Sequence, residues 1–527
     1  MRFVLLDFET TGLDPLHSEL IEVGALRVRK TEDGLLEALD SFESLIQPIE
    51  PPSPMITQLT GITPEMLVDA PPLAEVAPRL LDFLGEDPIV AHNSSMEQRF
   101  LDHAILPFYA PPLGATAREF TVQDSIEAFA LFLPHAPSLS LEALREWAGL
   151  SLEGAHRALE DCKALLALLS HLRRHAVEES PGLLGLIEEL LTGVGTQTSW
   201  WWSAFFPGGA SLSLSAPVPD SGPSFPRTRK LLERRSLGDL RELKARDSER
   251  GKLPAELPPE LQVPKELVSS TLRGEHALER PRLEGTLGFA TRPEQETMAL
   301  QVSQAFNGGE KVAIEAPTGT GKSLAYLIPG LLSARRQKTP LVLSTHSKAL
   351  QDQLLEKDLP LARALLQGEV PPEALQATTV KGQENYVCLR KLHELLDATG
   401  PDSSIEERFS TAFLVAFTAS STLAELERIP LYLRRKFPSL EEQTDWIRSH
   451  RTTTIGPSCP YYASCHFFDS ARKAHGSDVI IANHALVFQW PGHLPAIRNI
   501  VFDEAHHLEE QLTEAFSFSL SESTLAE

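Results

Sequence analysis

Three textures of apolar and polar residues follow one another along the chain. Up to about residue 175, short β-type runs (FVLLDF, IEVGALRV, PIVAHN) alternate with stretches of helical period, LEALREWAGL and HRALEDCKALLALLSHL. Such alternation predicts an α/β unit. From about 176 to 285 the period breaks down, and prolines gather with glycine and serine, as in SAPVPDSGPSFP. This predicts a linker carrying short helices at most. From about 286 the α/β pattern returns. KVAIEAPTGTGKS reads strand, loop, helix, and PLVLSTHS and IVFDEAH read as buried strands ending in polar residues. No internal repeat is visible. Two linker features have a plain expectation. The basic run RTRKLLERRS, residues 227–236, reads as a solvated helix face. Trp200, Trp201 and Trp202 read as packing onto a neighbouring domain rather than as a stacking platform for bases.

Composition narrows the class. A chain of 527 residues allows roughly three or four domains. The formal net charge of -24 argues against a surface coated for nonspecific nucleic-acid binding, though not against a local basic groove or contacts through metal ions. Four cysteines exclude a disulfide-dense secreted scaffold. Asp7 interrupts the apolar N-terminus, so it does not read as a signal peptide, and no run approaches a membrane span. The expectation is a cytoplasmic protein with no membrane association.

The first strand carries Asp7 and Glu9 in LLDFETTG. Alternate strand residues share a face, so the two carboxylates converge. They repel each other and lose hydration, and a divalent metal relieves both problems. AHNSSMEQRFLD places Glu97 and Asp102 on a helix after a strand, and GAHRALEDCKALL places His156 ahead of a helix that holds Asp161. Cys162 reads as a small packing residue. Together these motifs resemble the DnaQ-like (DEDDh) 3′–5′ exonuclease family across nearly all of the first 175 residues. The resemblance implies a ribonuclease H-like fold and a two-metal site for Mg2+ or Mn2+. It implies Asp7, Glu9, Glu97 and Asp161 as ligands and His156 as general base. At the third ligand the family has H-N-x-x-F-D; here the residues are His92, Asn93, Ser94, Ser95, Met96 and Glu97, one methylene longer. Asp102 should face elsewhere on its helix.

EAPTGTGKS gives a second centre. Ala316, Pro317, Thr318, Gly319, Thr320, Gly321, Lys322 and Ser323 form a Walker A loop with alanine in place of the first glycine. Backbone amides wrap phosphates there, Lys322 binds the β/γ oxygens and Ser323 helps hold the magnesium of Mg-ATP. Asp503 completes the metal site and Glu504 orients or activates water. Gln295, in R-P-x-Q, suits an adenine contact. STHSKALQDQL, KGQENYVC and DVIIANHALV resemble the DinG/XPD branch of superfamily-2 DNA helicases.

That branch often carries an iron–sulfur cluster on four cysteines. Cys388, Cys459 and Cys465 fall where three belong, and Thr454 stands where the fourth is expected. A hydroxyl is a poor iron ligand beside thiolates. The expectation is an insertion that folds without a cluster; three thiolates with an outside ligand are the alternative.

The expected architecture is α/β. A ribonuclease H-like exonuclease domain (1–175) is followed by the linker (176–285). A RecA-like P-loop helicase lobe comes in two parts (286–386 and 470–512) around a small cysteine-bearing insertion (387–469). Residues 513–527 begin an arch-like region. The resemblance implies a metal-dependent 3′–5′ DNA exonuclease, acting on single-stranded 3′ ends, fused to an ATP-binding helicase module. That module is expected to be incomplete in this chain, with a second helicase lobe as a separate partner. The alternatives are a nucleotide-switched nucleic-acid-binding protein with neither activity, and a polymerase-associated proofreading exonuclease. The fused ATPase lobe speaks against the last.

Overall fold

A computed structural model describes residues 1–109, 119–150, 157–178, 180–191, 200–201, 205–206, 226–233, 239–250, 257–275, 292–368, 375–400 and 402–517. The chain divides into two compact units, each discontinuous in sequence. One comprises Met1–Glu233 with Lys391–Ile447, the other Arg234–Arg390 with Arg448–Glu527.

The first unit is built on a sheet of β1 (Arg2–Thr10), β2 (Leu20–Lys30), β3 (Leu36–Leu45), β4 (Ile89–Ala91) and β5 (Val122–Asp124), in the order β3-β2-β1-β4-β5. β1 runs antiparallel to β2 and parallel to β4, and β5 parallels β4. This mixed α/β sheet is the ribonuclease H-like fold. The alternation of β1 is decisive. Val4, Leu6 and Phe8 enter one core with Val76, Leu80 and Leu84 of the helix Leu73–Leu84. Asp7 and Glu9 therefore face the other side.

On that side lies the helix Ala158–Glu178. Its approach is set by Gly24 of β2, the register partner of Asp7. A Cβ at Gly24 would stand 2.2 Å from the backbone nitrogen of Leu159 and 2.3 Å from the carbonyl carbon of Ala158. No side chain fits, so the helix begins directly over Asp7. Cys162 is buried there, its thiol 3.4 Å from the Gly24 carbonyl oxygen.

Two expectations about the middle of the chain change. The stretch read as a linker folds onto both units where it is described. Trp200 and Phe205 meet the Phe3 ring at 5.5 and 6.1 Å, and Trp201 and Phe205 are fully buried. Trp202 lies outside the described residues. Further on, Val263, Val268 and Leu272 join the core of the second unit. The basic run is not simply solvated either. Thr228 is buried and donates to Glu189 from its amide and hydroxyl at 2.9 and 2.7 Å, and Arg229 pairs with Asp397. Residues 234–236 of the run lie outside the described residues.

The cysteine-bearing insertion is also divided. Its central part, Lys391–Ile447, belongs to the first unit. The reason is visible in the helix Ile405–Ser420, where every residue from Arg408 to Thr418 is buried. A helix that is apolar all round needs cover on all sides. It receives that cover from the helices Ser125–Phe132, Pro181–Leu190 and Pro438–Trp446.

The second unit holds a parallel sheet of β6 (Leu341–Thr345), β7 (Ala377–Thr379), β8 (Val479–Asn483) and β9 (Asn499–Phe502), in the order β7-β8-β6-β9. Leu341, Leu343 and Ile481 pack against Leu327 and Leu331 of the helix Lys322–Gln337. The run VAI before the phosphate loop, expected as a strand, forms none and is unpaired among the described residues, and Val312 is 53% exposed. Pattern alone does not make a strand; a neighbour must take up its backbone hydrogen bonds.

Candidate active site

Asp7 and Glu9 of β1 meet Asp161 of the helix Ala158–Glu178. One carboxylate oxygen from each lies within 4.8 Å of the others, and this is the only such group of histidine, cysteine or acidic side chains among the described residues. Glu97 stands outside that trio but faces it from the helix Ser95–Phe100; it is buried, and its Oε2 has no hydrogen-bond partner among the described residues. Asp102 turns away, accepting from Gln98 at 3.0 Å. His156 lies outside the described residues.

Two arginines approach this acidic centre. Arg145 is buried and donates to Asp161 Oδ1 at 2.8 Å. Arg157 forks onto the buried Glu22, beside Glu9, at 2.6 and 3.0 Å. The uncompensated carboxylates are pushed up. Burial raises Asp7 well above the usual carboxylate range, with Glu97 and Glu9 adding to it. Burial and then Asp161 raise Glu9 to about 7, and burial raises Glu97 to about 8. Three converging carboxylates with an orphaned fourth fit divalent metal.

At the other centre, Gly319 and Gly321 of the phosphate loop take positive φ values of 84° and 82°. The Thr320 hydroxyl donates to the Pro317 carbonyl at 2.8 Å. Gln295, expected at an adenine, donates its amide to Gly321 at 2.9 Å and sits buried under the loop. Asp503 follows β9 and accepts from Tyr326 at 2.9 Å. Glu504 holds a left-handed φ of 53°, rare outside glycine, and its carboxylate lies 3.2 Å from Lys322. The strained backbone and the ion pair together aim Glu504 at the loop.

Residues 4–169 match the exonuclease family, and residues 293–392 the DEAD/DEAH box helicase family. The chain joins an exonuclease domain to a DEAD/DEAH box helicase domain. It is 27% identical to the 3′-5′ exonuclease DinG of Bacillus subtilis, over 97% of this chain and 50% of that protein. To the ATP-dependent helicase DinG of Mycobacterium tuberculosis it is 35% identical, over 45% of this chain and 38% of that one. It thus spans about half the length, or less, of these curated relatives. Among solved structures, exonuclease X in complex with 5′ overhanging duplex DNA is 22% identical, with a TM-score of 0.26 over 34% of this chain and 95% of that one. The E. coli ExoI–ssDNA complex is 21% identical, with a TM-score of 0.29 over 37% of this chain and 46% of that one.

Cys388, Cys459 and Cys465 are free thiols, and Cys388 and Cys459 lie near enough to Cys465 to act on it electrostatically. Burial pushes Cys465 up to about 11. The Thr454 hydroxyl donates to the His450 carbonyl at 2.7 Å and accepts from Gln383. Three thiols and an engaged hydroxyl do not fit a four-thiolate cluster.

Several site residues carry no sequence signal of their role. Glu22, Arg157 and Arg145 become site residues only through tertiary contact. Asp124 is readable as the N-cap of the helix Ser125–Phe132, since D-S-I-E has the capping pattern, but its closeness to Glu97 is not.

The raised carboxylates give the exonuclease domain a pH-dependent stability. Their folded pKa values lie above the unfolded ones, so the folded state holds the extra protons. The stability is intact below about pH 4 and is lost as pH rises through 7 to 8. In chelator, the melting temperature should fall between pH 6 and pH 8 by on the order of 5 °C. Mn2+ should restore more of it at pH 8 than at pH 6. Calorimetric melts at the two pH values check this; a melting temperature flat with pH in chelator contradicts it.

Proposed function

We propose that this chain is a metal-dependent 3′–5′ exonuclease acting on single-stranded DNA 3′ ends in the cytoplasm, joined to an ATP-binding helicase-type module of the DinG kind. The observation that carries the reading is the convergence of Asp7, Glu9 and Asp161 within 4.8 Å, with Glu97 facing them. These four side chains would hold Mg2+ or Mn2+, which when bound lowers the pKa of the attacking water and neutralises charge on the leaving 3′ oxygen. His156 takes the water's proton on an imidazole nitrogen, a task suited to a group that titrates near neutrality. Arg145 holds Asp161 in place through its 2.8 Å bond. Arg157 pairs with Glu22 and opposes its effect on Glu9.

In the helicase domain, Lys322 and the amides of residues 316–321 would bind the β/γ phosphates of Mg-ATP. Ser323 and Asp503 would hold its magnesium, and Glu504 would orient water. A second lobe, as a partner, would close on this face.

The test is a 5′-labelled single-stranded oligonucleotide incubated with Mg2+ or Mn2+. Stepwise shortening from the 3′ end, abolished by chelator, is the expected result. Internal cuts, or no metal-dependent product at all, would overturn it, and the second outcome would leave a nucleotide-switched binding protein.

A further inference from the structure

One cation enters the exonuclease unit from far along the chain. Lys436 ends the helix Leu431–Lys436, in the segment that separates Cys388 from Cys459, and its ammonium pairs with Asp124 at 2.5 Å. The two residues are 312 positions apart, and their side chains are 23% and 6% exposed. Asp124 is not a ligand of the carboxylate centre. It is the clamp of the turn that precedes Glu97. Oδ1 accepts from the amides of Asn93 at 3.1 Å and Ile126 at 2.9 Å, and Oδ2 accepts from Ser94 at 3.1 Å as well as from Lys436. Asn93 has a left-handed φ of 60°, and Glu97 sits in the first turn of the helix that begins immediately after Ser94.

The electrostatics point the same way. Asp124 repels the Glu97 and Glu127 carboxylates, and Lys436 opposes that repulsion at both. His92, which also packs here, is occupied by Ser125 at 2.8 Å and the Leu139 carbonyl at 2.7 Å. Without Lys436, the buried negative charge of Asp124 beside Glu97 would be met by backbone amides alone. A clamp left with an unpaired buried charge holds its turn less firmly.

We propose that Lys436 is a positioning residue for the exonuclease reaction: through Asp124 it fixes the Asn93–Ser94 turn and thereby the aim of Glu97. The inference rests on the exonuclease reading above. It makes the segment Lys391–Ile447 part of the nuclease machinery, although in sequence it lies inside the helicase half.

The test uses the full chain with Lys436→Met, which keeps length and removes charge, and Lys436→Arg, which keeps charge. Lys436→Gln replaces the first if it does not fold. Three readouts are taken well below the melting temperature: Mn2+ affinity by electron paramagnetic resonance, hydrogen exchange of residues 92–100, and the separate kcat and KM of trimming. Lys436→Met should weaken Mn2+ binding roughly 10- to 100-fold, the effect of losing a group that orients a ligand. It should speed exchange in 92–100 and lower kcat with KM little changed. Lys436→Arg should recover most of each. A Met variant with wild-type Mn2+ affinity and exchange overturns the inference, as does a loss that Arg does not rescue. Wild-type protein that binds no Mn2+ and trims nothing would instead overturn the exonuclease reading, and the exchange of 92–100 would still decide whether Lys436 holds the turn.

Discussion

Asp7→Ala should reduce 3′-end trimming by at least about 10³-fold, since several kcal/mol of charge stabilisation depend on the metal it helps to hold. Asp7 is the middle of the carboxylate centre. Glu97, Glu9 and Asp161 all raise its pKa, so all lie close to it. The substitution also removes repulsion, so metal-free protein should melt no lower than wild type. Loss of activity without loss of stability separates a functional carboxylate from a structural one. Glu97→Asp, in the same assay, shortens the fourth carboxylate by one methylene and should stay within about fivefold of wild type, a change of roughly 1 kcal/mol. Substantial trimming by Asp7→Ala would remove the metal centre from the account. Quantified gel ladders over a time course measure both variants.

Lys322→Ala should weaken Mg-ATP binding roughly 10- to 100-fold, the worth of a lost charge-assisted bond to phosphate. The Lys322 ammonium lies 3.2 Å from Glu504. Its removal frees Glu504 to the solvent-facing His506, 3.4 Å away. The phosphate loop should keep its shape, because the Gln295 bond to Gly321 and the Thr320 bond to Pro317 do not involve Lys322. Fluorescent-nucleotide titration reads the affinity, and trimming rates with and without ATP in both proteins show whether nucleotide alters the exonuclease. Unchanged nucleotide affinity in Lys322→Ala would mean that the loop does not bind phosphate.

Local pattern carried the parts of this molecule that depend on local rules. Alternation along LLDFET puts Asp7 and Glu9 on one face, and the helical run after His156 brings Asp161 to them. The glycines of APTGTGKS mark the positive-φ turns of the phosphate loop. Where an outcome depends on distant neighbours, pattern misled or was silent. VAI has the composition of a strand, yet it pairs with nothing described. The helix Ile405–Ser420 lies in sequence between two cysteines of the helicase half and packs against the exonuclease unit, because its apolar surface needed cover there. Gln295 reads in the sequence as an adenine contact, and its bond to a backbone carbonyl of the phosphate loop was not legible there. Lys436 looks like one cation in the basic run LRRK, and nothing within ten residues of it points to Asp124.

The discontinuity of the first unit has a consequence for the chain as it is made. The helix Ser125–Phe132 leaves the ribosome long before Ile405–Ser420, the helix that covers it. At about 5–20 residues per second, the interval between residues 178 and 447 lasts roughly ten to fifty seconds. During that time the strands can pair, but the apolar flank stays wet and the Asn93–Ser94 turn lacks its lysine. The newborn polypeptide therefore passes through a stage in which its catalytic sheet is complete and its nuclease is not. On the proposed reading, metal binding and trimming would stay weak until residues 391–447 have been made, and an apolar flank would stay exposed in the meantime.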